Sequence, residues 1–179
     1  LWDFNGRPVE PVGFNRFVDS LAHRGPDGRG IYIDSQVNLA LGHRRLAILD
    51  ISEMGHQPMS YGDGRYWISY NGEIYNFVEL REELENCSHR FKTNSDTEVL
   101  LAAYAEWGQD CQLRLNGIWA FAIWDTLEKT LFLSRDRFGV KPLFFISNEE
   151  QFIFASELKA FMSLPQGLRP DLDLRMIAR

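Results

Sequence analysis

Residues 118–125 are apolar on both faces of an extended chain. Ile118, Ala120, Ala122 and Trp124 point one way, and Trp119, Phe121 and Ile123 the other. A strand of that kind has to be covered on both sides, so it belongs inside a layered fold. The rest of the chain says what the layers are. Short extended stretches are expected at 1–4, 31–33, 37–41, 45–50, 66–70, 73–75, 131–134, 143–147 and 152–155. Helical spacing appears at 12–22, where Phe14, Phe17, Val18 and Leu21 recur, and at 77–86, where Phe77, Leu80 and Leu84 do. A further helix is expected over 96–107. Ser95 is its N-cap, Glu98 completes an S-x-x-E capping box and Gly108 is its stop. Ser156 is expected to cap a short helix over 157–162.

Helices do not alternate regularly with strands, which argues against a doubly wound parallel sheet. The expected class is α+β: two mostly antiparallel sheets packed on each other with helices outside. The 179 residues suffice for one domain. A formal net charge of −6 argues against broad binding to nucleic acid or to an anionic membrane. No apolar run approaches the ~20 residues needed to span a bilayer. Two cysteines, Cys87 and Cys111, make no disulfide framework, and a reducing cytoplasm is the expected compartment. Leu1–Phe4 already has strand character, so an N-terminal segment is expected to precede it. The residues after Pro165 are expected to lead into a linker or a further domain.

Four groups carry candidate chemistry. Asn71-Gly72 has the signature of a type I′ hairpin turn. The same pair can aim an amide and a backbone N–H at one point, as an oxyanion hole does. Asp96 is a first-turn carboxylate favoured by the helix dipole, and an ionised carboxylate there can pair with an ammonium group. Arg44 and Arg45 are either solvated charge or, with one facing a cleft, a fork for a carboxylate. The segment 135–142 is a charged strand exit and turn, where no substrate contact is placed. No P-loop, dinucleotide fingerprint or zinc spacing is present. The four histidines are scattered, and no metal site is expected.

Five strings occur together and in order: His23-Arg24-Gly25-Pro26-Asp27, His43-Arg44-Arg45-Leu46-Ala47-Ile48, Tyr70-Asn71-Gly72-Glu73-Ile74-Tyr75-Asn76, Ser95-Asp96-Thr97-Glu98 and Ala155-Ser156-Glu157-Leu158-Lys159-Ala160. Together they resemble the class II glutamine amidotransferase domain of asparagine synthetases, over residues 1 to about 162. The resemblance implies an N-terminal-nucleophile hydrolase fold, a four-layer αββα sandwich. It implies a glutaminase domain at 1–164, with 165–179 as linker or the start of a synthetase domain. Arg45 would hold the α-carboxylate of glutamine, and Asp96 with Glu73 its α-ammonium. Asn71 and the Gly72 N–H would form the oxyanion hole, and Leu46 and Ile48 would line the pocket.

The family nucleophile is an N-terminal cysteine. The chain as written lacks it, and neither Cys87 nor Cys111 stands at the matching position. The implied reaction is glutamine hydrolysis to glutamate and ammonia, for ATP-dependent amidation of aspartate. ATP and Mg²⁺ would belong to a second domain, with no cofactor needed in this one, and a homodimeric assembly is allowed. Two alternatives stay open: a non-catalytic glutaminase-like scaffold, and an amidotransferase acting on another acceptor.

Overall fold

In the computed structural model, residues 1–46 and 55–169 are described. They form two antiparallel sheets. Sheet A contains β1 (Trp2–Asp3), β2 (Gly28–Asp34), β3 (Leu39–Arg45), β8 (Phe144–Ser147) and β9 (Gln151–Ala155), in the order β2-β3-β1-β9-β8. Sheet B contains β4 (Met59–Tyr61), β5 (Tyr66–Ile74), β6 (Gly117–Asp125) and β7 (Thr130–Arg135), in the order β4-β5-β6-β7. Helices α1 (Pro11–Asp19) and α5 (Leu158–Phe161) cover sheet A. Helices α2 (Phe77–Asn86) and α3 (Asp96–Trp107) cover sheet B, with α4 (Cys111–Arg114) leading into β6. This is the expected αββα sandwich.

Three apolar clusters hold the layers. Phe14, Phe17 and Val18 of α1 and Phe161 of α5 meet Ala40, Ile153 and Ala155 of sheet A. Val99 to Tyr104 of α3 meet Ile68, Tyr70, Phe121 and Ile123 of sheet B. Between the sheets, Leu39, Leu41 and Trp124 are fully buried, with Trp2, Tyr32 and Trp67 against them. The Trp2 and Trp124 ring centroids are 5.2 Å apart, and Tyr32 stacks on Trp67 at 4.0 Å. The two faces expected for β6 are thus both occupied: Trp119, Phe121 and Ile123 turn to the helices and Trp124 turns to the other sheet.

Several local expectations change. The strands expected at 31–33 and 37–41 are longer and paired, from Gly28↔Arg45 to Asp34↔Leu39, so the turn lies between Asp34 and Leu39. Of the stretch at 45–50, Arg45 ends β3 and residues 47–50 lie outside the described part. The short strand β4 was not anticipated. The capping box does not form. Ser95 Oγ accepts from the Thr97 N–H (3.1 Å), while the Glu98 carboxylate turns back to the loop and takes the N–H groups of Lys92 and Thr93. Two donors of a partly buried loop outweigh one cap donor. Ser156 makes no cap either, because the short α5 begins after Glu157. Beyond Pro165, Gln166–Leu168 form one 3₁₀ turn, with Leu168 against the α1 cluster.

Candidate active site

The inter-sheet core is apolar at one end only. Along β3 the side chains facing sheet B run Leu39, Leu41, His43, Arg45. Along β5 those facing sheet A run Trp67, Ser69, Asn71, Glu73, and along β6 they run Trp124, Ala122, Ala120. Bulky side chains therefore give way to polar and small ones in the same direction on all three strands. The Ser69 hydroxyl, donating to the Gly42 carbonyl (3.0 Å), ties the sheets where the change occurs. Beyond it the sandwich opens into a cavity of about 420 Å³. Arg45, Leu46, Asn71, Gly72, Glu73 and Asp96 all line this cavity, and so does Leu1 at the head of β1. The remaining expected residue, Ile48, lies outside the described residues.

The two arginines divide as alternation requires. Arg44 faces the α1 side, where its guanidinium donates to the Gly25 carbonyl (3.1 Å) and reaches Asp19. Arg45 is directed to the cavity side.

Asn71-Gly72 is not a hairpin turn. Both residues lie inside β5, paired with Ala120 and Trp119 of β6. The glycine is required by close approach rather than by a turn. A Cβ at Gly72 would stand 2.8 Å from Trp119 Cα and 2.5 Å from a Tyr70 ring carbon, and closer still to the Ile118 carbonyl oxygen.

Strand geometry also settles where the Gly72 N–H points. The Tyr75 N–H donates to the Asn116 carbonyl and the Thr126 N–H to the Arg65 carbonyl. Odd-numbered residues of β5 therefore bond to β6, and even-numbered residues turn their N–H groups the other way. At Tyr70 that N–H is taken by Gln57 Oε1 (2.7 Å), and at Ile74 by Asp96 Oδ2 (3.0 Å). Between them the Gly72 N–H points the same way. Among the described residues no side-chain acceptor and no carbonyl outside the ladder takes it. The Asn71 side chain stands one residue away on the cavity face.

Asp96 is buried at the start of α3, and the Tyr70 hydroxyl donates to it (2.8 Å) together with the Ile74 N–H. Its pKa is raised rather than held down. Burial outweighs these donors, and Glu73 adds to the rise. A cation placed beside Asp96 would favour its charged form.

A model of a glutamine amidotransferase domain matches residues 5–179. The chain belongs to the glutamine amidotransferase family. Asparagine synthetases 3 and 1 of Bacillus subtilis are 48% and 49% identical to it, over 91% and 84% of this chain and 26% and 23% of their own length. A putative asparagine synthetase 2 of Methanocaldococcus jannaschii is 41% identical, over 90% of this chain and 34% of its own. The chain thus spans about a quarter to a third of these curated relatives. The solved glutamine phosphoribosylpyrophosphate amidotransferase of B. subtilis superposes with a TM-score of 0.71 at 25% identity, over 86% of this chain and 40% of that one.

In this amidotransferase domain neither cysteine lines the cavity. Cys87 is exposed at the end of α2, and Cys111 is buried, its thiol pushed up to about 12 by desolvation. Among the described residues no group of three or more His, Cys, Asp or Glu is placed to hold a metal. No helix among them is long and apolar enough to cross a membrane. From the segment 135–142, set aside as structural, Lys141 reaches the cavity wall. Asp136 organises that turn by accepting from the Phe138, Val140 and Lys141 N–H groups. Sequence reasoning also missed His43 and Gln57, both on the cavity wall. The signal for His43 was available, since it lies two residues from Arg45 on one strand face. Gln57 had none.

Proposed function

We propose that this domain binds glutamine in the inter-sheet cavity and hydrolyses its side-chain carboxamide to glutamate and ammonia. The observation that carries the reading is the shared cavity. A guanidinium, two carboxylates and an amide next to an outward-turned backbone N–H line one hollow of about 420 Å³. That combination suits a zwitterionic amino acid with a carboxamide tail. Arg45 takes the α-carboxylate bidentately, and Asp96 with Glu73 takes the α-ammonium. Leu46, with Ile48, lines the adjoining wall. Asn71 and the Gly72 N–H receive the oxyanion, a contribution of roughly 3–4 kcal/mol for each donor.

The attacking thiol belongs to the N-terminal cysteine that the family resemblance implies; neither Cys87 nor Cys111 lines the cavity. Its α-amine, with a reference pKa near 8, accepts the thiol proton. The thiolate bonds to the carboxamide carbon and the C–N bond breaks, the nitrogen leaving as ammonia. Water then cleaves the thioester to free glutamate and the thiol. In the longer protein the ammonia serves the ATP-dependent amidation of aspartate, with ATP and Mg²⁺ held by the part of the protein that follows this domain. The names of the three relatives, glutamine-hydrolysing asparagine synthetases, support this acceptor.

Calorimetric titration of the 179-residue chain with glutamine tests the pocket without needing the nucleophile. Arg45→Ala removes a charged hydrogen-bond pair of about 1.5–3 kcal/mol and weakens binding ten-fold or more. In the full-length enzyme, Asn71→Ala lowers kcat for glutamine hydrolysis by ~10²-fold. Unchanged affinity in the first case, or a near-normal kcat in the second, refutes the role of that residue.

A further inference from the structure

The outer edge of β5 is only partly covered by a neighbouring strand. β4 pairs with it from Tyr66 to Ile68 and then stops. Beyond that point the backbone groups of Tyr70 and Ile74 are met by side chains instead. Tyr70 is closed from both sides. Its N–H donates to Gln57 Oε1 (2.7 Å), and its carbonyl accepts from His43 Nε2 (3.0 Å). Ile74 is closed by Asp96 (3.0 Å). Gly72, between them, is left facing the cavity.

The two clamping side chains are themselves fixed. Gln57 is buried, and its amide reaches Thr97 Oγ1 (3.5 Å) at the head of α3. Its backbone packs against β2 so tightly that a Cβ at Gly30 would strike the Gln57 carbonyl and lie 2.6 Å from His56 Nε2. His43 projects from β3 of the opposite sheet. A carbonyl can only accept, so His43 must carry its proton on Nε2. Its Nδ1 is then a bare acceptor, buried and without a partner among the described residues.

We infer that His43 and Gln57 are positioning residues. By clamping the two peptide groups that flank the Tyr70 Cα, from sheet A and from the α3 side, they set where the Asn71 side chain and the Gly72 N–H stand in the cavity. This rests on the glutaminase reading above. The lever is short. The Tyr70 carbonyl belongs to the peptide that joins Tyr70 to Asn71, and Gly72 has no side chain of its own to restrain it. Polar contacts made two residues away therefore do the work a Cβ would do elsewhere. Misplacement of reacting groups by about 1 Å can cost ~10²-fold in rate.

The test compares His43→Leu, which deletes the donor, with His43→Gln, whose amide can reach the same carbonyl. In the full-length enzyme, His43→Leu lowers kcat for glutamine hydrolysis by about ten- to a hundred-fold. KM for glutamine stays within about three-fold, because Arg45, Glu73 and Asp96 are untouched, and His43→Gln restores most of kcat. In the 179-residue chain, the Asn71 and Gly72 amide resonances move in His43→Leu and return toward wild type in His43→Gln. A normal kcat, a KM that rises in step with the fall in kcat, or unmoved Gly72 resonances overturns the inference. Gln57→Leu is held to the same criteria. If the wild-type enzyme fails to hydrolyse glutamine while the resonances respond, the reaction is wrong and the clamp stands. If neither responds, both fall.

Discussion

Gly72→Ala separates the strand found here from the turn that the dipeptide advertises. The new Cβ would sit 2.8 Å from Trp119 Cα and nearer still to the Ile118 carbonyl oxygen. Carbon atoms are comfortable at about 3.5–4.0 Å, so β5 and β6 must part by about 0.7–1.2 Å at this point. Both of these obstructing groups are backbone, held in a nine-residue pairing at the middle of sheet B, and cannot rotate away. Overpacking costs ~1–3 kcal/mol in general, and a clash of this kind belongs at the upper end. Restricting the unfolded chain returns ~0.4–1 kcal/mol. The net expectation is a loss of about 2–3 kcal/mol, or about 5–10 °C in melting temperature for a chain of this length. Urea unfolding of the 179-residue chain, followed by tryptophan fluorescence, reads this as a lower midpoint at unchanged slope. Gly167→Ala is the control, because a Cβ there meets nothing within 4 Å. A Gly72→Ala midpoint within error of both the wild type and this control would refute the close-approach argument.

Two further outcomes follow from titration. Burial lowers the His43 pKa from 6.5 to about 4, with His56 and Arg45 adding to the effect. The unfolded chain therefore takes up this proton first. Stability is lost as pH falls from about 6.5, by about 3 kcal/mol in all, and the loss is complete below about pH 4. The difference between wild type and His43→Gln across that window isolates the group, and a pH-independent difference would remove it from the buried site. The thiols should behave unequally: Cys87 is exposed, while the Cys111 thiol is pushed up to about 12. Iodoacetamide is expected to modify one thiol per native chain and two in urea, and rapid labelling of Cys111 in the native protein would refute its burial.

Much of the candidate site's lining is legible in the sequence. Arg45, Asn71, Gly72, Glu73 and Asp96 were named from motifs, and all five line one cavity. Their local setting was less legible. Asn-Gly is the strongest short turn signal, yet here it runs through a strand, because the cost of glycine in an extended chain is outweighed by the fit of β5 against β6. The capping box failed for a similar reason. Glu98 had better-placed donors at Lys92 and Thr93, six and five residues away, than at the Ser95 backbone.

By itself, the amino-acid sequence determined the layers. A strand apolar on both faces cannot be left bare, and helices with one apolar face must lie outside it. It also determined the chemical types at the site, since a guanidinium, a carboxylate or an amide keeps its character in any fold. Only the tertiary structure decided how these groups are held. The ladder turned the Gly72 N–H away from β6, burial raised the Asp96 pKa, and His43 and Gln57 came to clamp Tyr70 across 27 and 13 residues of chain. Each of these depends on which groups become neighbours once water is excluded, and hydrogen bonding and desolvation act through that proximity rather than through order along the chain.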